Sequence, residues 1–260
     1  MTIIKITRRA FLILLAAPLF ILPGCAKEGG NGIVVSAAVS LKDAFEDIGA
    51  LYRQRYGDIP IHYNYGASGA LQKQISAGAP VDIFASASQK FMDVLDKEGR
   101  IPDGTRKNFA RNGLVIIVPK SSRAVIRAVG DLLQPGFRRI AMGNPDTVPA
   151  GIYAAESLAA LKLREKLQPR LVYAENVRQV LDYVVTGEAD AGFVYRTDTY
   201  RMEGKISIAL TVPEKLYRPI LYPIAVIKGT KNEGPAGKFV ETVISPEGRD
   251  LLRKYGYREK

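Results

Sequence analysis

Ile33-Val34-Val35-Ser36-Ala37-Ala38-Val39-Ser40-Leu41-Lys42-Asp43-Ala44-Phe45-Glu46-Asp47-Ile48-Gly49-Ala50-Leu51-Tyr52 changes its hydrophobic period along its length. Ile33-Val34-Val35 is a short β-rich run, whereas Leu41, Ala44, Phe45, Ile48, Leu51 and Tyr52 fall on one face of a helix. The same unit recurs outward from this stretch. Ile59 to Tyr65 reads as a strand and Leu71 to Ala77 as a helix, then Val81 to Ala85 as a strand and Phe91 to Lys97 as a helix. Leu114 to Val118 is a buried-strand pattern closed by Pro119. A second series starts near Arg138: a strand to Met142, a helix over about Ala150 to Leu161, and a strand at Leu171 to Tyr173. A helix over Val177 to Thr186 and a strand over Ala191 to Tyr195 complete it. Pro219 to Ile227 reads as a further apolar strand, and Ala236 to Ile244 and Glu247 to Tyr255 as terminal helices.

Repeated strand–helix alternation implies an α/β fold, with mainly parallel sheets covered by helices on both faces. Two such series, with one late strand and two helices left over, predict two lobes joined by two crossings. Residues 33–112 plus 222–260 would form the first lobe and 113–221 the second. A single larger sheet would give a similar periodicity.

The N-terminus carries an address. Lys5, Arg8 and Arg9 precede the uncharged run Phe11 to Leu22, about half the ~20 residues of a membrane-spanning helix, so residues 1–24 read as a signal peptide. Thr7-Arg8-Arg9-Ala10-Phe11-Leu12 resembles a twin-arginine export signal, although an ordinary Sec signal holding two arginines fits the same residues. Leu22-Pro23-Gly24-Cys25 resembles a bacterial lipobox with Cys25 as the lipidated residue, and residues 25–32 suit a tether. Cys25 is the only cysteine of the chain, which excludes an internal disulfide or a cysteine-rich zinc cluster. Removing the first 24 of 260 residues leaves 236, and the formal charge of +11 falls to +8. Such a surface is compatible with a small anionic solute, while no basic run or aromatic platform points to nucleic acid.

Four helix starts share one design, a strand end followed by neutral hydrogen-bond donors. Ser40 precedes the helix at Leu41, Ser68 precedes the helix of Leu71 and Ile75, Pro149 stands before Ala150 and Gly151, and Asn176-Val177 opens the helix of Val180 and Leu181. Helix N-termini expose unpaired N–H groups at a partially positive end, so several converging would hold an anion without a formal counter-charge. Taken singly, each has a plainer reading. Ser40 and Ser68 are ordinary N-caps, Pro149 an ordinary first-turn proline, and Tyr195 a core aromatic with a wet hydroxyl.

Val39-Ser40-Leu41-Lys42-Asp43-Ala44-Phe45, Tyr65-Gly66-Ala67-Ser68-Gly69-Ala70-Leu71 and Gly78-Ala79-Pro80-Val81-Asp82-Ile83-Phe84-Ala85-Ser86 resemble the periplasmic molybdate-binding proteins of ABC transporters. So do Gly143-Asn144-Pro145-Asp146-Thr147-Val148-Pro149-Ala150-Gly151-Ile152-Tyr153-Ala154, Ala174-Glu175-Asn176-Val177-Arg178, Gly192-Phe193-Val194-Tyr195 and Tyr222-Pro223-Ile224-Ala225-Val226. The matches run in order through the mature chain. The resemblance implies a two-lobed periplasmic-binding-protein-like (type II) fold with the ligand in the interlobe cleft. It implies a tetrahedral oxyanion, molybdate or tungstate, held by Ser40, Ser68, Ala150, Val177 and Tyr195. Molybdenum would enter only as this oxyanion, with no other cofactor. The implied protein is a monomeric, exported, lipid-anchored solute-binding protein that delivers to a membrane permease.

Rival classes remain open. A binding protein or sensor for sulfate, phosphate or another oxyanion would share the fold and anchor. An exported hydrolase has less support, because Gly66-Ala67-Ser68-Gly69-Ala70 lacks the spacing of Gly-x-Ser-x-Gly. The lone His62 sits in a strand-like run without an evident carboxylate, and Asp82 and Asp146 read as turn and cap residues rather than a metal pair. No phosphate-binding loop or dinucleotide fingerprint is present.

Overall fold

In the computed structural model, residues 32–200, 202 and 204–259 are described, so the signal-peptide, tether and Cys25 readings lie outside the described residues. The chain enters on β1 (Ile33–Ala38), turns through a short 3-10 segment at Val39–Leu41, and runs into α1 (Lys42–Tyr56). It continues as β2 (Ile61–Gly66), α2 (Ser68–Ser76), β3 (Ile83–Ala85), α3 (Gln89–Lys97) and β4 (Lys107–Arg111). Next come β5 (Leu114–Pro119), β6 (Ile140–Gly143), α4 (Pro149–Ala160), α5 (Arg164–Leu167) and β7 (Leu171–Ala174). The last elements are α6 (Val177–Val185), β8 (Ala191–Tyr195), β9 (Ile206–Thr211), β10 (Leu221–Val226), α7 (Glu233–Ile244) and α8 (Pro246–Lys254).

These strands form two five-stranded sheets, ordered β2-β1-β3-β10-β4 and β7-β6-β8-β5-β9. Each sheet is mixed in the same way. β1 pairs in parallel with β2 and β3, and β6 in parallel with β7 and β8, because helical crossovers return the chain to the same edge. The other two strands of each sheet are antiparallel: β10 joins β3 to β4, and β5 joins β8 to β9. The alternation of strands and helices thus accounts for the parallel half of each sheet. The chain passes between the sheets twice, from Arg111 to Leu114 and from Thr211 to Leu221.

Strand periodicity sorts the first lobe's core into two layers. Ile33, Val35, Ala37, Ile83, Ala85 and Ile224 pack with Phe45, Ile48, Tyr52 and Phe239 of α1 and α7. The alternate positions Val34, Phe84 and Ala225 pack with Leu71, Ile75, Phe91, Met92 and Leu95 of α2 and α3. Helices therefore cover both faces of that sheet, and the strand ends stay free to meet the other lobe. No helix among the described residues is long and apolar enough to cross a membrane.

Candidate functional site

Ser40, Ser68, Ala150, Val177 and Tyr195 all line one cavity of about 210 Å³ between the two sheets. Ser40, Ser68 and Ala87 approach from the first lobe; Val148, Pro149, Ala150, Val177 and Tyr195 approach from the second. The cavity lies beyond the carboxyl ends of β1, β2, β3 and β8, where open α/β sheets place their ligands. The space these residues leave is small and admits only a small solute.

The local geometry departs from the plainer readings of the two serines. Ser40 sits inside the 3-10 turn, and α1 begins at Lys42 without a side-chain capping bond. Ser68 is the first residue of α2, whose cap position is Ala67. Its Oγ accepts from the backbone N–H of Ala87 at 3.0 Å, so it is committed to the cavity wall and not to capping α2. Genuine caps occur nearby: Ser88 accepts from Lys90 N, and Asn176 accepts from Gln179 N at 3.0 Å.

Three helix starts meet at the cavity. Ser68 and Val177 are the first residues of α2 and α6, and Ala150 is the second of α4, after Pro149. First-turn N–H groups have no intrahelical acceptor and carry the positive end of the helix dipole. Gly151 explains why α4 comes so close. A Cβ there would stand 1.9 Å from the carbonyl oxygen of Gly143, so only glycine lets the first turn press against the end of β6.

Tyr195 is fully buried, with its ring against Tyr153 (centroids 6.5 Å apart) and Tyr222 (5.8 Å). Its hydroxyl donates to the Ala87 carbonyl at 3.4 Å, a long bond across the cleft that a better acceptor can replace. Burial, reinforced by Tyr222 and Tyr153, pushes its pKa well above the usual tyrosine range, so the phenol keeps its proton. Every residue lining the cavity is formally uncharged at neutral pH.

A buried charge lies just behind. Asp198 accepts the Tyr195 backbone N–H at 2.9 Å, and Arg178 Nε stands 3.8 Å from its other oxygen. Burial pushes the Asp198 carboxyl up to about 6, while Arg178 and the Tyr195 N–H pull in the opposite direction. Arg178 also donates to Asp43 of α1 at 2.6 Å, joining the lobes beside the cavity. The lobes meet again where Gly69 N donates to Thr147 O at 2.9 Å.

Two residues behind Ser40 support the wall. Tyr222 Oη lies 3.2 Å from Ser40 Oγ, and Asn112 Nδ2 donates to Tyr222 Oη at 3.1 Å. Tyr222 carried a signal, since it opens one of the family-like segments; Asn112, between β4 and β5, carried none. His62 is exposed on β2, away from the cavity. Asp82 accepts Val34 N at 2.6 Å and bonds Thr230 and Asn232, tying β1 to the segment after β10, while Asp146 donates its N–H to Asn144 in the β6–α4 loop. Among the described residues no group of three or more His, Cys, Asp or Glu side chains could hold a metal ion.

Comparisons with known proteins agree with this architecture. The family model for bacterial extracellular solute-binding proteins matches residues 33–258. A Bacillus subtilis protein described as a candidate ABC transporter substrate-binding lipoprotein is 40% identical over 226 residues, 86% of this chain and 85% of its own. The Escherichia coli (strain K12) molybdate-binding protein ModA is 35% identical over 251 residues, 94% of this chain and 96% of its own. The solved structure of the Azotobacter vinelandii periplasmic molybdate-binding protein superposes with a TM-score of 0.80 at 27% identity, covering 88% of this chain and 99% of that one. With a family match across nearly all of both lobes, the chain belongs to the bacterial extracellular solute-binding proteins.

Proposed function

We propose that the chain captures molybdate, and tungstate with it, as a tetrahedral dianion and delivers it to the membrane permease of an ABC uptake system. The observation that carries this reading is the cavity itself: two serines, three helix starts and one protonated tyrosine surround a space with no charged side chain. A buried dianion needs its oxygens saturated with hydrogen bonds, and each bond to a charged partner is worth about 1.5–3 kcal/mol. Fixed N–H dipoles supply them without the desolvation cost of burying lysine or arginine alongside. Ser40 and Ser68 would donate hydroxyl and backbone N–H, Ala150 and Val177 backbone N–H, and Tyr195 its phenolic O–H. Binding without turnover fits the same wall, because Tyr195 is its only titratable side chain and holds its proton.

In this reading residues 1–24 are removed on export, Cys25 carries the lipid, and residues 25–32 tether two lobes, 33–112 plus 222–260 and 113–221. The protein then works as a periplasmic or cell-surface monomer with no other cofactor. Relatives named for molybdate binding at 35% and 27% identity support the choice of oxyanion. The test is calorimetric titration of the signal-less protein with molybdate, tungstate, sulfate and phosphate. The expected result is tight binding of the first two. Tight binding confined to sulfate or phosphate would overturn the assignment, and turnover of an ester substrate would replace it with a hydrolase.

A further inference from the structure

Ser40 is the one cavity-lining hydroxyl whose neighbour on the protein side is another hydroxyl. Either oxygen of the Ser40–Tyr222 pair could be the donor at 3.2 Å, so the direction of that bond is set elsewhere. Asn112 sets it. The Asn112 Oδ1 accepts the backbone N–H of Gly113 at 2.9 Å, and a backbone N–H can only donate. This leaves the amide NH₂ facing the other way, with bonds to Thr197 Oγ1 at 2.9 Å and Tyr222 Oη at 3.1 Å. All these groups are buried. With Asn112 donating to its oxygen, Tyr222 turns its single proton to Ser40 Oγ. Burial holds the Tyr222 hydroxyl well above the usual tyrosine range, so that proton stays in place. Ser40 Oγ then receives a proton from the wall and has its own left to present to the cavity.

We propose that Asn112 is a positioning and specificity-determining residue: acting through Tyr222, it orients the Ser40 hydroxyl so that its proton faces the cavity. This rests on the oxyanion reading given above. Ser68 is held in the same sense by a simpler device, since the Ala87 N–H donates to its Oγ. Each serine hydroxyl therefore has one lone pair engaged by the wall and its own proton free to point into the cavity. An oxyanion with bare oxygens is satisfied by that pair of donors, whereas one that carries a proton, such as hydrogen phosphate, brings a donor that the two serines are not oriented to receive. The relay starts where the chain crosses between the sheets and ends on a ligand-facing atom.

Asn112→Asp tests the polarity of the relay with little change of shape. One carboxylate oxygen keeps the Gly113 N–H, and the other can only accept. Tyr222 then turns its proton to Asp, Ser40 donates to Tyr222, and a lone pair faces the cavity. The readout is the ratio of molybdate to hydrogen phosphate affinity, measured by calorimetry and by competition on the full mature protein. The ratio should fall by about tenfold or more in Asn112→Asp, the scale of one hydrogen bond reversed, and by less in Tyr222→Phe, where Ser40 is merely released. A structural role alone would weaken all oxyanions alike and leave the ratio unmoved. Ratios in both variants unchanged from the wild type overturn the proposal, and if Asn112→Asp does not fold, Tyr222→Phe decides alone. If the wild type binds sulfate in place of molybdate, the oxyanion assignment fails separately, and the same ratio taken with sulfate still decides the relay.

Discussion

Arg178 and Asp43 join the two lobes at 2.6 Å, while the same guanidinium stands 3.8 Å from the buried Asp198. One cation thus serves two carboxylates in different surroundings. Asp43 is nearly half exposed, whereas the Asp198 side chain is wholly enclosed. The difference in burial, more than the difference in distance, decides what each pair is worth.

Removing the shared cation should cost far more than removing its exposed partner. Arg178→Met leaves Asp198 enclosed without a counter-charge, a change that costs up to ~3–5 kcal/mol of stability. Asp43→Asn should cost only ~0.2–1 kcal/mol, the range for solvent-screened pairs. Urea denaturation of the ligand-free protein measures both. Equal losses would show that Asp198 does not depend on Arg178, and the double variant Arg178→Met with Asp198→Asn should recover most of the larger loss.

Asp198 predicts a pH dependence with a definite sign. Its carboxyl is raised in the folded protein to about 6 by burial, above the ~3.9 of an unfolded chain. Between these values the folded state binds a proton that the unfolded state does not, so stability rises as pH falls from 7 towards 4. The wild type should gain on Asp198→Asn by up to roughly 3 kcal/mol over that interval. Parallel stability curves for the two proteins would contradict the assignment.

Tyr195→Phe removes a hydroxyl from the cavity and leaves the ring packed on Tyr153 and Tyr222. Molybdate affinity should drop by roughly 1.5–3 kcal/mol with little change in melting temperature. Calorimetry showing unchanged affinity would return Tyr195 to the role of a plain core aromatic.

Gly151→Ala should damage binding through the backbone. The added methyl meets Gly143 O, and α4 must retreat, carrying the Ala150 N–H with it. An affinity loss of tenfold or more is expected, since a shift of about 1 Å is enough to spoil a positioned donor. Amide exchange should show the disturbance at the start of α4. Full affinity in this variant would mean that Ala150 is not a ligand.

The alternating α/β pattern was legible because buried strands and amphipathic helices leave unmistakable periods. β8 spans Ala191–Tyr195 as the apolar run does, and α3, α4, α6 and α7 begin within about three residues of the patterned positions. β4 and β9 were not legible. Both are edge strands, β4 beside β10 and β9 beside β5, and their mixed burial erases the alternation. Those edges, with β5 and β10, add the antiparallel half that strand–helix alternation does not encode.

The sequence by itself determined the α/β class, the helix starts that bear neutral donors, and the likeness to the periplasmic molybdate-binding proteins. Convergence was decided only by the tertiary structure, because Ser40 and Tyr195 are far apart in the chain and meet through two sheets whose ends face each other. The polarity of the wall was decided there too. Whether Ser40 offers a proton or a lone pair depends on Tyr222, and Tyr222 depends on Asn112, a residue with no period and no motif. Hydrophobic patterning records which face of an element is buried; it does not record which way a hydrogen bond points once three distant residues share one buried space.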